Sequence, residues 1–134
     1  MSLALAFSEP CPVVGAVDVL AAARRIRGRV RRTPLVPCEA LSRLTGGEVW
    51  LKLETLQATG AFKERGAANR LALLSREERA RGVVAVSSGN HAQAVARHAQ
   101  LVRASAVLVM PECTPALKAE RTAGWGARVV LAGR

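Results

Sequence analysis

Apolar residues fall in short blocks, and the spacing within each block changes along the chain in a way that marks out elements. From Asp18 to about Arg29, Val19, Leu20, Ala23 and Ile26 recur at helical spacing, which predicts an amphipathic helix with its arginines on the wet face. Thr33-Pro34 breaks that helix, because the residue before proline avoids the helical region. Pro37 to Leu44 reads as a short helix closed by Gly46-Gly47. In Glu48 to Glu54, Val49, Leu51 and Leu53 take every second position, the mark of a strand. Ala61 to Leu74 reads as a helix and Val83 to Val86 as a short buried strand. Asn90 to Leu101 is a helix with Ala92, Val95, Ala96 and Ala99 on one face, and Ala104 to Met110 is an apolar strand ended by Pro111. Thr114-Pro115, a cap followed by proline at the first helical position, opens the next helix. Gly124 and Gly126 end it, and Val129 to Leu131 begins a further strand. Residues 1 to 16 read as a loose leader. Strand alternating with helix predicts an α/β fold with a parallel sheet and crossover helices. In such sheets ligands sit at the carboxyl ends of strands, in the turns that lead into helices.

Composition narrows the class. The chain has 134 residues, half of them hydrophobic and 22% charged, enough for a domain with a real core. The longest stretch free of Lys, Arg, Asp and Glu runs from Gly82 to Ala96 and carries Ser87, Ser88, Asn90 and His91, so it cannot span a bilayer. Met1 to Phe7 lacks the features of a secretory signal. Cys11, Cys38 and Cys113 are odd in number and widely spaced, which argues against a disulfide framework and for a reducing, cytoplasmic home. With no CxxC or Cys/His cluster, no metal is expected. The formal charge is +10, and Arg24, Arg25, Arg27, Arg29, Arg31 and Arg32 concentrate part of it. Such a balance invites a nucleic-acid reading. However, Trp50, Trp125, Phe7 and Phe62 are the only aromatic residues, so a stacking surface for single strands lacks its parts. A basic interaction module therefore stands as the alternative reading, and a solvated helix face as the simpler account of the arginines.

Two turns are unusual. Leu56 to Lys63 (LQATGAFK) precedes one helix and Ser87 to His91 (SSGNH) precedes the next. Both follow strands, both contain glycine, and both offer backbone N–H groups at a helix start, which suits an anionic ligand. Lys63 is one of three lysines among twenty cations. A lysine amine can be deprotonated and made nucleophilic, whereas an arginine cannot. Taken singly, each turn has a plainer reading: a solvent-facing lysine, and a helix cap built from Ser and Asn.

Taken together, Lys52-x-Glu54, then Thr59-Gly60-Ala61-Phe62-Lys63-x-Arg65-Gly66-Ala67, then Ser87-Ser88-Gly89-Asn90-His91-Ala92-Gln93, resemble the fold-type II pyridoxal-phosphate enzymes. Within them the motifs are most similar to threonine/serine ammonia-lyases (dehydratases) and serine racemases. Arg32-Thr33-Pro34-Leu35 upstream agrees, as do Val109-Met110-Pro111, Pro115, Lys118 and Gly126-Ala127 downstream. The resemblance covers nearly the whole chain from about Asp18. Cysteine and threonine synthases fit less well, since they usually place Asp where Glu64 stands and lack the histidine after Gly-Asn.

The resemblance implies the tryptophan synthase β-like fold, pyridoxal 5'-phosphate as cofactor, and a small hydroxyamino acid as substrate. It implies that Lys63 holds the cofactor as a Schiff base, is displaced by the substrate amine, and then removes the α-proton. Loss of the β-hydroxyl leads to a 2-oxo acid and ammonia. It further implies that Asn90 bonds the cofactor's phenolic oxygen and that Phe62 packs beside the ring. Ser87, Ser88, Gly89 and His91 then lie in the turn that receives the substrate carboxylate. Ser88 leaves racemisation open, because racemases use a serine there as the acid/base of the opposite face. Thr59 and Arg65 are expected to shape the turn.

The family pattern places residues 1–80, with Lys63, in the N-terminal part of the large domain, and 81–134 as most of the small α/β domain. The glycine-rich loop that holds the family's phosphate has no counterpart here, since Gly46-Gly47 precedes the lysine. The chain alone is therefore expected to be inactive, with most of the large domain missing and Leu20, Ile26 and Leu35 short of cover. Another copy of the chain or a complementing C-terminal chain is the expected partner.

Overall fold

The computed structural model describes residues 13–133. In chain order the elements are α1 (Ala16–Ile26), β1 (Leu35–Pro37), α2 (Glu39–Thr45), β2 (Trp50–Lys52), α3 (Lys63–Ala72), α4 (Arg76–Arg81), β3 (Val83–Val86), α5 (Asn90–Leu101), β4 (Ala106–Met110), α6 (Ala116–Ala123) and β5 (Arg128–Leu131). A 3₁₀ turn at Glu54–Leu56 follows β2. The expected leader falls mostly outside the described residues.

β3, β4 and β5 form a parallel sheet in sequential order, each step crossed by a helix, as the alternation predicts. In register, Ala85 pairs with Leu108 and Leu108 with Val129, so these side chains share one face. That face is covered by α5, whose Ala92, Ala94, Val95, Ala96 and Ala99 are buried with Leu108 and Met110. Small residues on α5 let the helix axis approach the sheet closely. Ala67, Leu71 and Leu74 belong to the same buried cluster, so α3 closes the other side of α5. On the opposite sheet face Val84 and Val86 are 71% and 73% exposed, which corrects the expectation of a wholly buried β3.

β2 does not join this sheet. It pairs antiparallel with β1 in a separate two-stranded ribbon, with Val36 opposite Leu51. Pro37 therefore ends a strand rather than starting α2, which begins at Glu39. The period-2 pattern of residues 48–54 identifies a strand but says nothing about its partner.

Three further differences have local causes. α1 ends at Ile26, ahead of Gly28, whose φ of +75° is left-handed. It packs on α3 with Ala21, Ala22, Arg25 and Ile26 half-buried, and the Arg25 guanidinium donates to the Asn69 side chain, so this arginine leaves the wet face while Val19 and Leu20 are exposed. α4 lacks an apolar stripe but carries a capping box, in which Ser75 Oγ accepts the Glu78 N–H at 3.1 Å and Glu78 accepts the Ser75 N–H at 2.7 Å. At α6 the cap position is Pro115, and the Thr114 hydroxyl is buried without a partner among the described residues. Between α4 and β3, Gly82 has φ of +83°, and a Cβ there would lie 2.2 Å from Ser105 Oγ and 2.8 Å from Ser105 O. Only glycine permits the bond from Val83 N–H to Ser105 O that starts the sheet, 2.9 Å long.

Candidate active site

Lys63 is the first residue of α3, and the turn before it is held by charges drawn from three segments. Glu54 accepts Arg65 Nε at 2.9 Å and Arg65 Nη2 at 2.6 Å, a two-pronged pair, and also accepts the Thr33 hydroxyl at 2.6 Å. The Arg65 guanidinium is the main reason the Glu54 carboxyl is lowered to about 2. Lys52 Nζ donates to Thr33 O at 2.6 Å. Buried Gln57 clasps the backbone of Arg31, accepting its N–H at 3.0 Å and donating to its carbonyl at 3.0 Å. The structure thus joins Thr33, Lys52, Glu54 and Arg65 into one support. Arg65 shapes the turn, as expected, whereas the Thr59 hydroxyl is buried with no partner among the described residues.

The amine itself is exposed. Its Nζ lies 5.0 Å from the centroid of the neighbouring Phe62 ring, which is 60% exposed. One position on, Glu64 is completely buried and points the other way. Its Oε2 accepts the Ala58 N–H at 3.0 Å, and its Oε1 lies 2.9 Å from Arg97 Nη1 and 3.4 Å from His98 Nε2. Burial, reinforced by the Arg97 charge, holds His98 below the usual imidazole range, although Glu64 pulls it upward.

The second turn continues β3. Ser87 N–H donates to Val109 O at 3.0 Å, and Ser87 Oγ accepts the Gly89 N–H at 3.2 Å. This turns the backbone out of the sheet and into α5, which starts at Asn90. The first α5 amide bonded within the helix is that of Gln93, to Gly89 O at 3.4 Å. The amides of Asn90, His91 and Ala92 are then left without an acceptor among the described residues, an arrangement that favours negative charge. The side chains of Asn90 and His91 are exposed, and Ser88 is half-buried.

Lys63 stands one helical turn before Gly66 and Ala67, on the α3 face that continues to Arg70 and Leu71. Those four residues line a cavity of about 400 Å³ whose far wall is Val83, Val84, Ala85, His91 and Val95. Of the predicted site residues only His91 lines this cavity; Phe62, Lys63, Ser87, Ser88, Gly89 and Asn90 are not part of its lining. Sequence reasoning missed Glu64, Gln57 and Arg97. Nothing in the local pattern distinguishes a glutamate at a helix start, where carboxylates are ordinary, from one that is buried. Among the described residues no three His, Cys, Asp or Glu side chains gather as a metal site would require, and no helix is long and apolar enough to cross a membrane.

Comparison with known proteins adds an independent line. Residues 26–134 match the model of a family described as pyridoxal-phosphate dependent enzymes. An L-threonine ammonia-lyase of Thermotoga maritima is 51% identical over 116 residues, covering 87% of this chain and 29% of that protein. An L-threo-3-hydroxyaspartate ammonia-lyase of Saccharomyces cerevisiae is 47% identical over 117 residues, covering 87% of this chain and 36% of that protein. Among solved structures, serine racemase from Dictyostelium discoideum superposes with a TM-score of 0.82 at 37% identity, over 87% of this chain and 38% of that one. Threonine deaminase isoform 2 from Solanum lycopersicum gives a TM-score of 0.76 at 35% identity, over 90% of this chain and 35% of that one. The chain spans about a third of the length of these relatives.

Proposed function

The chain belongs to the pyridoxal-phosphate-dependent enzyme family, and we propose that it supplies the lysine-bearing part of a threonine/serine ammonia-lyase. The observation that carries this reading is the placement of an exposed lysine at the start of α3, with both nearby carboxylates, Glu54 and Glu64, already engaged by cations.

The donor set fits the reactive end of pyridoxal phosphate. Lys63 offers a primary amine to an aldehyde, Phe62 offers an apolar ring beside it, and Asn90 offers an amide to a phenolic oxygen. The phosphate needs several convergent N–H donors, and no run of glycines opens a helix among the described residues. When bound, the cofactor supplies an electron sink for the carbon next to the substrate's amine. This chain's own part is to position and move protons. Lys63 takes the α-proton from the substrate, while the Ser87–His91 turn directs its N–H groups toward the substrate carboxylate. The net change is loss of water across the α and β carbons, and hydrolysis of the resulting enamine gives a 2-oxo acid and ammonia.

Racemisation of a hydroxyamino acid is the second reading. It is favoured by Ser88 and by the likeness to serine racemase. Under it Ser88 returns a proton to the face opposite Lys63, so Ser88→Ala removes racemisation and spares elimination. The division at residue 80 remains part of the proposal, with β3, β4, β5, α5 and α6 as the smaller unit. A cytoplasmic setting does too, supported by the free thiols of Cys38 and Cys113.

The test is chemical. Borohydride reduction of the chain mixed with pyridoxal phosphate, followed by peptide mapping, is expected to place the label on Lys63 and to lose it in Lys63→Ala. Labelling of Lys52 or Lys118 instead would overturn the reading.

A further inference from the structure

Glu64 is the least expected residue near the lysine. A completely buried carboxylate is costly, and a space-filling role at that position would be met better by Leu or Met. What it has in return is one hydrogen bond, to Oε2, and two close nitrogen neighbours around Oε1, which accepts no hydrogen bond among the described residues. Oε2 accepts the Ala58 N–H at 3.0 Å, within the turn that presents Lys63. Oε1 lies 2.9 Å from Arg97 Nη1 and 3.4 Å from His98 Nε2, both on α5. Arg97 in turn donates to Arg29 O at 3.3 Å and lies over the Trp125 ring at 5.6 Å, so it is itself tied to the segment after α1 and to the turn before β5. α5 is also the helix whose first residues are Asn90 and His91.

From this geometry we propose that Glu64 is a positioning residue for Lys63, a single buried carboxylate that holds the amine-bearing turn in register with the helix carrying Asn90 and His91. The inference rests on the reading of Lys63 given above and names the part that sets its placement. The chemistry requires a carboxylate. Ala58 N–H needs an acceptor, and the Arg97 guanidinium needs a negative charge beside it, although no donor is aimed at Glu64 Oε1; among residues of this size only a carboxylate supplies both. A glutamine of the same shape removes the negative charge facing Arg97, and it must present its NH₂ either to that cation or to Ala58 N–H. The turn and α5 then lose their common reference, and displacement on the ångström scale is enough to misplace a reacting group.

The test uses the 134-residue chain and reads amide exchange residue by residue in wild type, Glu64→Gln and Leu71→Ala, the last a buried apolar truncation on the same helix. Glu64→Gln is expected to speed exchange at Ala58 by about tenfold to a hundredfold beyond any change at Leu108 in β4. Leu71→Ala is expected to move both amides together. If Glu64→Gln also moves both together, Glu64 is a core residue only and the proposal fails. Should Glu64→Gln not fold, Glu64→Asp, which stays acceptor-only but is too short to reach both partners, is judged by the same selective change at Ala58. A second arm measures borohydride trapping of pyridoxal phosphate on Lys63 at equal folded fraction. Trapping slowed in Glu64→Gln supports the proposal, and an unchanged rate overturns it. Absence of any Lys63 label in the wild type would strike the reading of Lys63 instead, and the exchange arm would still decide the role of Glu64.

Discussion

Replacing Glu54 by Gln tests the charged support beneath the lysine turn. The carboxylate accepts two bonds from Arg65 and one from Thr33, and its side chain is only 16% exposed. These bonds lower its carboxyl from 4.5 to about 2, Arg65 contributing most. At about 1.4 kcal/mol per unit, such a shift amounts to roughly 3 kcal/mol, and partial exposure of Arg65 reduces it to about 2 kcal/mol. The sign follows from linkage. A carboxyl lowered on folding stabilises the native state above its unfolded value, and that stability drains away as pH falls from about 4.5 toward 2. Urea unfolding of wild type and Glu54→Gln should therefore differ by about 2 kcal/mol at pH 7 and converge near pH 2. The remaining carboxyls titrate in both proteins and cancel in the difference. A difference that stays constant from pH 6 to pH 2 would refute the argument, because the lost stability would then come from shape rather than charge.

Other substitutions probe separate links. Gly82→Ala must place a methyl group against the backbone of Ser105 at a left-handed φ, so it is expected to lower stability by about 2 kcal/mol or more in urea unfolding. Ser105→Ala should not rescue it, because the carbonyl clash remains. Leu108→Ala removes a fully buried side chain at the centre of the parallel sheet, and its denaturation midpoint should fall by the equivalent of about 3 kcal/mol. Ser75→Ala removes the α4 cap, with an expected loss of about 1 kcal/mol and faster exchange confined to residues 76–81. With pyridoxal phosphate and L-threonine, these 134 residues are expected to give no 2-oxobutanoate above a Lys63→Ala control, since no run of glycines opens a helix among the described residues to hold the phosphate; steady turnover would show that such a run is not needed.

Much of the architecture could be read from local pattern. β3 and α5 match their sequence boundaries, and β4 and β5 differ from theirs by a residue or two, because alternation, helical spacing, Pro111 and Gly126 act within a few residues of one another. The two turns were legible for the same reason: each is a short run of residues whose types constrain the backbone directly. α4 was also written in the sequence, as Ser75 and Glu78 three apart, yet with no apolar stripe it gave periodicity nothing to detect.

What tertiary structure decided was which surfaces meet. Periodicity showed that residues 50–52 form a strand, but only the folded chain paired β2 with β1 rather than with the parallel sheet. α1 was legible as a helix, while the face it buries was set by α3 and includes Arg25. The same holds at the site. Lys63 was conspicuous as a residue type, whereas the burial of Glu64 goes with Arg97, far along the chain, whose guanidinium lies 2.9 Å from it. Local sequence constrains dihedral angles and hydrophobic faces, since those depend on near neighbours. The burial of a charge depends on a partner that arrives only when distant segments pack, so it has no local signature.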